Sequence, residues 1–336
     1  MRPSLRMEVT HGGHVGHVRR QVLESAERLG AGEVKAGEAA IVATELASNL
    51  VKHGQGGEIL LNELEVEGAY VLEMHALDKG PGMVSVNACL RDGFSTAGSA
   101  GTGLGAVQRL AGQFQIHSQP GQGTAVWVHF PLVPDASRAA ARKFICSGVS
   151  VALKGEDMCG DSWDFRESAD GLQVLLADGL GHGPFAAEAS REAVSVFRRH
   201  ARISPSECLS LAHQALFKTR GAAASTVSID PEGCRLVSSG IGNVTMRVLG
   251  DAGAKTLHAD NGTLGASVRK VQEMPHPWKP DSLLILHSDG ISSRWDLEKY
   301  PGLIRRHPGL VAGVIYRDHR HQHDDATVVV IRQSAS

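Results

Sequence analysis

Residues 45–59 read ELASNLVKHGQGGEI, and this stretch decides the first half of the fold. Leu46 and Leu50 lie one helical turn apart, which predicts a helix over residues 38–53. Glu45 and Asn49 are also four residues apart, so their side chains share one face of that helix. A carboxylate and an amide on an otherwise apolar helix need a partner or a task. The glycines that follow end the helix and lead into the β-rich run EILLNELEV.

Two glycine-rich segments follow downstream. Residues 78–83 read DKGPGM at the end of a predicted strand, and residues 101–105 read GTGLG before a predicted helix near 103–112. Glycines at a helix N-terminus let backbone N–H groups approach phosphates, and an acid at a strand end can hydrogen-bond a base edge. The chain contains neither GxxxxGK[ST] nor GxGxxG, which excludes a P-loop NTPase and a Rossmann fold. The pattern predicts a nucleotide pocket of another kind.

The order ELASN, DKGPGM, GTGLG and then GQGT at 121–124 resembles the GHKL ATPases, and among them the anti-sigma-type serine kinases of the RsbT/RsbW/SpoIIAB type. The resemblance covers residues 7–130 and implies an α/β (Bergerat) sandwich that binds ATP with Mg²⁺. It implies that Asn49 is the Mg²⁺ ligand, Asp78 the adenine-binding acid, and Glu45 the general base for a substrate serine. The other cofactor-binding positions it implies are Gly80, Gly82, Gly101, Gly103, Gly105 and Thr124.

A linker is predicted where the sequence reads PLVPDASRAAAR, residues 131–142. Two prolines and small polar residues stand there between two strand-like runs, AVWVHF and FICSGVSVAL. Beyond it, helices are predicted over 184–200 and 205–218 between runs of strands. The whole chain is therefore expected to belong to the α+β class, with two domains.

Four aspartates of the second half stand where predicted strands begin or end. They lie in GDSWDF (160–165), ADGLGHG (177–183), HSDGI (287–291) and DDAT (324–327). Such acids would repel one another without cations, and the first three segments contain no Lys or Arg next to the aspartate. All-oxygen ligands favour Mg²⁺ or Mn²⁺, and two such ions can activate a water for attack on a phosphoryl group. A cysteine phosphatase is excluded because no CxxxxxR pattern exists.

In this order the four segments resemble the PPM-type serine/threonine phosphatases, specifically the bacterial SpoIIE/RsbU/RsbX family, across about residues 140–333. The resemblance implies a two-sheet β-sandwich flanked by helices and two Mn²⁺ or Mg²⁺ ions, with Asp178 bridging both. The loop 240–243 reads GIGN where many relatives carry a Gly-His pair. The ligands that the resemblance implies are Asp161, Asp178, the Gly179 carbonyl, Asp289 and Asp324, the four aspartates being also the catalytic residues.

We therefore predict a GHKL-type ATP-binding or kinase domain over residues 1–134, a linker over 135–143 and a PPM-type phosphatase domain over 144–336. The balance of charged residues argues against nucleic acid as a partner. The chain carries 34 Lys and Arg against 36 Asp and Glu, so it lacks the basic excess of a nucleic-acid-coating protein. Its apolar runs are strand-sized, and its five cysteines form no CxxC pair. A cytoplasmic protein without a membrane segment is expected.

The resemblances imply a bifunctional regulator of partner switching, whose substrate is a serine or phosphoserine on a STAS-domain antagonist protein. A sigma factor or a sensor complex is a further implied partner. Two alternatives stay open at this point: the N-terminal domain only binds ATP and a partner, or it is an anti-sigma factor that sequesters a sigma factor. The oligomeric state is also open, and a dimer is compatible with the sequence.

Overall fold

The computed structural model describes residues 2–66, 68–90, 103–133, 142–201, 203–250 and 253–334. Its contacts divide the chain into two compact units. The N-terminal unit comprises Ser4–Ala140 and Asp296–Arg317, and the C-terminal unit comprises Met1–Pro3, Ala141–Trp295 and Asp318–Ser336. Most of the predicted linker, residues 134–141, lies outside the described residues, and the boundaries at 134 and 144 stay a prediction.

The N-terminal unit is built on a five-stranded antiparallel sheet in the order β1-β2-β3-β5-β4. Two long helices cover one face of this sheet, and apolar residues of both layers form the core. The elements are β1 (Leu5–Val9), α1 (Gly12–Arg28), α2 (Glu33–Lys52), β2 (Gly57–Val66), β3 (Ala69–Leu77), α3 (Val86–Cys89), α4 (Gly103–Leu110), β4 (Gln113–Ser118) and β5 (Thr124–Pro131).

Helix α2 carries the ELASN motif, and its buried residues show why it packs closely. They recur every three or four positions and are mostly alanines, which let the helix lie close to the sheet. The helix begins at Glu33, five residues before the predicted start, because the extended residue Gly32 is its N-cap and Gly37 does not interrupt it. Glu45 and Asn49 occur on the partly exposed side of this helix.

The C-terminal unit holds two five-stranded sheets, β15-β10-β9-β8-β7 and β12-β11-β16-β17-β6. One core lies between the two sheets, and a second lies between the first sheet and helices α5 and α6. Mixed helices and strands in both units confirm the predicted α+β class. The elements of this unit are β6 (Phe144–Val151), β7 (Asp161–Ser168), β8 (Gly171–Gly179), α5 (Pro184–Arg199), α6 (Pro205–Ala215), β9 (Ala222–Asp230), β10 (Arg235–Ile241), β11 (Thr245–Gly250), β12 (Gly253–Thr256), β13 (Gly262–Thr263), β14 (Ser267–Val268), β15 (Met274–Pro277), β16 (Leu283–His287) and β17 (Ala326–Gln333). Helix α7 (Pro308–His319) lies between β16 and β17 in the chain, and its residues up to Arg317 belong to the N-terminal unit.

Residues 296–317, here called the inserted segment, pack with the N-terminal sheet although they follow Asp289 in the chain. The His307 ring stacks on Trp127 with centroids 3.7 Å apart, and the His307 N–H donates to Gln115 Oε1 at 2.7 Å. The Arg317 guanidinium donates to the backbone oxygen of Asp78 at 3.2 Å. All residues from Pro308 to Arg317 are buried. The inserted segment therefore supports the strand end that carries Asp78.

No helix among the residues described is both long enough and apolar enough to cross a membrane.

Candidate functional site

Asp78 is placed directly after β3 and is buried. Its Oδ1 accepts hydrogen bonds from the N–H groups of Gly80 at 2.9 Å and Thr124 at 3.1 Å, and its own N–H donates to the Thr124 oxygen. The side-chain hydrogen bonds found among the described residues all use Oδ1, so Oδ2 is left to accept an N–H of a ligand. Burial raises the pKa of Asp78, and the two backbone hydrogen bonds oppose that shift. This carboxyl group is fixed in orientation and suited to reading a base edge.

The turns around Asp78 require glycine. Gly82 and Gly123 have φ of +67° and +79°, and a Cβ at either position would collide with a backbone oxygen, that of Gln119 or Asp78. A Cβ at Gly80 would lie 2.7 Å from the Gly54 oxygen. The backbone at these three glycines therefore lies very close to neighbouring backbone, beside the Asp78 carboxyl group.

Glu45 and Asn49 lie against the start of α4. A Cβ at Gly103 would lie 2.9 Å from Glu45 Oε2 and 3.6 Å from Asn49 Oδ1. Among the residues that the structure describes, the buried Asn49 Nδ2 has no hydrogen-bond partner, as expected of an amide that needs a ligand. Gly105 is buried within α4, while Gly101 lies outside the described residues. The donor set of one amide oxygen and one nearby carboxylate fits Mg²⁺, which keeps most of its waters when bound.

The four aspartates of the second site come together in the C-terminal unit. Asp161 opens β7 and pairs directly across the hairpin with Asp178 of β8. Asp289 comes two residues after β16, and Asp324 two residues before β17. Because β16 and β17 are antiparallel neighbours, the C-terminal end of β16 lies beside the N-terminal end of β17.

Burial and mutual repulsion raise the pKa values of carboxyl groups in this cluster. Burial, followed by the charges of Asp161, Asp289 and Asp324, raises the pKa of Asp178 to about 10. Burial also raises the pKa of Asp161 to about 7, with Asp325 and Asp289 adding to the shift. The pKa of Asp324 is raised by burial and by Asp289. A carboxylate cluster of this kind cannot be fully ionised near neutral pH without cations.

The residues present fit divalent cations. Asp161 Oδ1 is buried and has no hydrogen-bond partner within the described parts of the chain, whereas Oδ2 accepts from the Ser288 hydroxyl at 2.7 Å. A buried carboxylate oxygen without a donor is expected to face a metal ion. Among the described residues, no three His, Cys, Asp or Glu side chains form a ready-made ligand set for one ion.

Gly179 is confined by its surroundings, since a Cβ there would collide with the Ala186 oxygen. Its N–H donates to the Gly160 oxygen at 3.1 Å, which ties the end of β8 to the residue before Asp161. Asp325 is also buried, but both its oxygens are used, by the N–H groups of Leu153 and Gly160. Asp325 therefore holds the loops around the cluster in place.

Sequence reasoning missed two polar residues of this site. Ser288 donates to Asp161, and the Asn243 amide donates to Asp289 Oδ2 at 2.6 Å. Ser288 precedes Asp289 directly, and Asn243 ends the loop GIGN where many relatives carry histidine. The atypical residue in that loop was the available signal for Asn243. Both side chains orient carboxylates of the cluster.

The raised pKa values predict an unusual pH dependence of stability. A carboxyl group whose folded pKa exceeds its ordinary value stabilises the fold below that ordinary value, and the stability is lost as pH rises toward the folded pKa. In chelator, we therefore expect the melting temperature to fall from about pH 4, where both groups ionise in the unfolded chain. The fall should continue to about pH 7 for Asp161 and to about pH 10 for Asp178, their pKa values in the folded protein. With Mn²⁺ present, the fall should vanish. A scanning fluorimetry series measures both, and equal slopes with and without metal would contradict this prediction.

Together the pocket and the cluster define a class: a histidine-kinase-like ATPase domain followed by a metal-dependent phosphatase domain. Comparison with known families agrees. Residues 10–130 match the histidine kinase-like ATPase domain, and residues 168–334 match stage II sporulation protein E, SpoIIE.

Two relatives from Bacillus subtilis (strain 168) match the two halves. The serine/threonine-protein kinase RsbT is 35% identical over 101 residues, covering 30% of this chain and 76% of RsbT. The phosphoserine phosphatase RsbX is 26% identical over 140 residues, covering 41% of this chain and 70% of RsbX. The chain therefore belongs to the RsbT family of histidine kinase-like ATPase domains and carries a SpoIIE-type PPM phosphatase domain, which confirms the fusion predicted from the sequence.

A solved structure from work on the bacterial stressosome, described as a modular system adapted to control secondary messenger signaling, also resembles the chain. The match has a TM-score of 0.54 at 26% identity and covers 57% of this chain and all of the other. The chain is thus a partner-switching type of regulator by family, and its C-terminal domain is of the metal-dependent serine/threonine phosphatase type.

Proposed function

We propose that the chain is a bifunctional regulator in which the N-terminal domain phosphorylates a serine with ATP and the C-terminal domain hydrolyses phosphoserine. The substrate of both reactions is a STAS-domain antagonist protein, whose phosphorylation state controls a sigma factor or a sensor complex. The observation that carries the proposal is the coexistence of two sites in one chain: Glu45 beside Asn49 at the start of α4, and the cluster around Asp178. The cytoplasm, where ATP is available, is the proposed compartment.

In the N-terminal site, Asp78 binds the adenine amino group and the glycines around it admit the nucleotide. Asn49 would hold Mg²⁺ and Thr124 would lie beside the base, while Gly80, Gly82, Gly103 and Gly105 shape the pocket. Glu45, one turn from Asn49, accepts the proton of the substrate hydroxyl as it attacks the γ-phosphoryl group. Glu45 Oε2 lies next to Gly103 at the start of α4, beside the Asn49 amide.

The C-terminal site would hold two Mn²⁺ or Mg²⁺ ions. Their ligands would be Asp161, Asp178, Asp289, Asp324 and the Gly179 carbonyl. Such ions lower the pKa of a bound water and neutralise phosphoryl oxygens. Ser288 and Asn243 keep Asp161 and Asp289 in orientation. Removal of the seryl phosphate then restores the free hydroxyl that the N-terminal site uses.

The test is a two-step assay with γ-labelled ATP and a candidate STAS-domain protein. Label should enter the protein with Mg²⁺ and ATP, and should be released as phosphate when Mn²⁺ activates the C-terminal domain. ATP binding without any transfer would contradict the kinase assignment and favour a binding module. Co-purification of a sigma factor in the same ATP-bound state would favour the anti-sigma alternative.

ATP affinity should depend on the Asp78 carboxyl. Asp78→Asn places an N–H₂ group where an acceptor is needed, and the loss of a charge-assisted hydrogen bond should raise the Kd for ATP about 10- to 100-fold. Asn49→Ala should remove the Mg²⁺-dependent part of the affinity. Calorimetry measures both, with the exposed Glu65→Gln on β2 as the control. Unchanged affinity in both variants would overturn the pocket.

A further inference from the structure

Exposed apolar side chains gather beside the loop that follows Asp178. Leu180, Phe185 and Phe217 have exposed fractions of 44%, 59% and 59%, and the two phenylalanines are the exposed ones among those the structure describes. Large apolar side chains on a surface next to a functional site are typical of an interaction surface. We call these three residues and Arg220 the docking surface.

Leu180, Phe185 and Arg220 are neighbours in space, and Phe217 lies three residues before Arg220 in the chain. The Leu180 N–H donates to the Gly221 oxygen at 3.0 Å, which fixes the loop beside Arg220. The Arg220 guanidinium lies 5.0 Å above the Phe185 ring, and a Cβ at Gly181 would lie 3.3 Å from Arg220 Nη1. Phe217 belongs to the 3₁₀ helix Leu216–Lys218, which packs against α5, the helix that carries Phe185.

The docking surface is continuous with the proposed metal centre. Leu180 follows Gly179 directly in the chain, and Gly181, which Arg220 overlies, is two residues beyond that glycine. Phe185 begins α5 together with Ala186, whose backbone oxygen closes off Gly179. A molecule whose phosphate enters the metal centre would therefore meet this surface with the atoms around the phosphate.

The positive charge of Arg220 indicates which chemical group a docked molecule presents to this surface. Arg220 is exposed and forms no ion pair with any carboxylate in the part of the chain that the structure describes. A guanidinium that is free on its donor edge and stacked on an aromatic ring is suited to phosphate oxygens, which it can bind in a bidentate way. Apolar contacts on one side and a phosphate-binding arginine on the other fit a folded protein that presents phosphoserine beside an apolar surface.

We infer that Leu180, Phe185, Phe217 and Arg220 dock the folded phosphoserine protein that the C-terminal domain dephosphorylates, an inference that rests on the proposed phosphatase function. The apolar residues contact the protein surface around the phosphoserine, and Arg220 contacts its phosphate. The surface thereby selects a folded protein over a free peptide, whereas hydrolysis itself is left to the metal centre.

The experiment compares three substrates of the full-length chain with Mn²⁺: a STAS-domain phosphoprotein, the phosphoserine peptide released from it by trypsin, and p-nitrophenyl phosphate. For Phe185→Ser and Phe217→Ser, kcat/KM for the folded phosphoprotein should fall about tenfold or more, since buried aromatic anchors dominate protein interfaces. Values for the peptide and for p-nitrophenyl phosphate should stay within about twofold, because these substrates make no apolar contacts there. Met274→Ser, an exposed apolar change on the edge strand β15, is the matched control and should alter none of the three.

Arg220 variants separate charge from apolar contact. Arg220→Ala should raise KM for both the phosphoprotein and the peptide, and Arg220→Lys should restore part of the loss because it keeps the charge without the fork. Melting temperatures verify that each variant is folded.

Two failures are distinguishable. A wild type that hydrolyses p-nitrophenyl phosphate but prefers the peptide to the folded phosphoprotein, or phenylalanine variants with unchanged kcat/KM, would overturn the docking surface and leave the phosphatase standing. A wild type that hydrolyses none of the three substrates with Mn²⁺ would overturn both.

Discussion

Replacing Asp178 with asparagine is expected to lower Mn²⁺-dependent hydrolysis of phosphoserine or an aryl phosphate by about 10³-fold or more, because metal ions contribute several kcal/mol to such reactions. Asp178 is the aspartate whose pKa is raised by all three of its partners, Asp161, Asp289 and Asp324. It therefore lies among the other three acids and would hold a metal ion together with them. Phosphate release measured across a Mn²⁺ titration, with a chelator blank, determines the loss.

Although Asp178→Asn should lower activity, it should preserve or raise the thermal stability of the metal-free protein. Without metal, Asp178→Asn removes a charge that burial disfavours, so the variant should melt at or above the wild-type temperature in chelator. Added Mn²⁺ should raise the wild-type melting temperature and leave that of the variant nearly unchanged, since a ligand that binds only the folded state stabilises it. Asp170→Asn, in the exposed turn at the far end of the same β7–β8 hairpin, is the control and should behave like the wild type. Full activity in Asp178→Asn, or hydrolysis that persists in chelator, would overturn the metal centre.

Much of the two sites could be predicted because their residues stand in short segments of fixed spacing. Glu45 and Asn49 share a helix face whatever the rest of the chain does, and the glycines beside Asp78 are needed for local turns. Asp161 and Asp178 are brought together by a single hairpin, and the ends of β16 and β17 meet through antiparallel pairing. In each case the geometry follows from local structure.

The inserted segment could not be predicted, because its partner is distant in the sequence. Helix α7 is buried from Pro308 to Arg317, and the run PGLVAGVIY is consistent with a fully buried helix. Nothing in that run indicates that its neighbour is the N-terminal sheet. The matching signal on the sheet is equally weak: His75 and Glu73 are polar residues of β3 that turn out to be buried.

The hydrogen bonds and charges around Glu73 explain how this polar residue of β3 can be buried. Glu73 accepts hydrogen bonds from the Trp127 indole at 2.6 Å and from the Asn62 amide at 3.0 Å. Burial alone would favour the neutral acid, but His75 and the nearby His307 outweigh it and lower the pKa of Glu73 to about 2. A strand face that reads as polar and exposed is thus buried, with hydrogen bonds to the Glu73 carboxylate, and alternation of polar residues could not reveal this.

Glu45→Gln should separate nucleotide binding from phosphoryl transfer in the N-terminal domain. Glutamine keeps the shape of the side chain and its place on α2 but cannot accept the hydroxyl proton, so ATP affinity should be retained. Transfer to a STAS-domain serine should fall about 10²- to 10⁴-fold, the usual contribution of a positioned base. Single-turnover transfer from γ-labelled ATP, with calorimetric Kd values measured in parallel, gives both quantities.

The control lies on the same helix. Glu38→Gln, two turns before Glu45, removes a partly exposed ion pair with Lys35 that contributes little to stability, so it should change neither binding nor transfer. The placement of Glu45 makes the comparison decisive. Its carboxylate lies against Gly103 beside the Asn49 amide, so a structural role would show first in nucleotide affinity, whereas a base would show only in transfer. A Glu45→Gln protein that transfers phosphate at the wild-type rate would limit this residue to shaping the pocket. A parallel loss of affinity and transfer would likewise remove it from the chemistry.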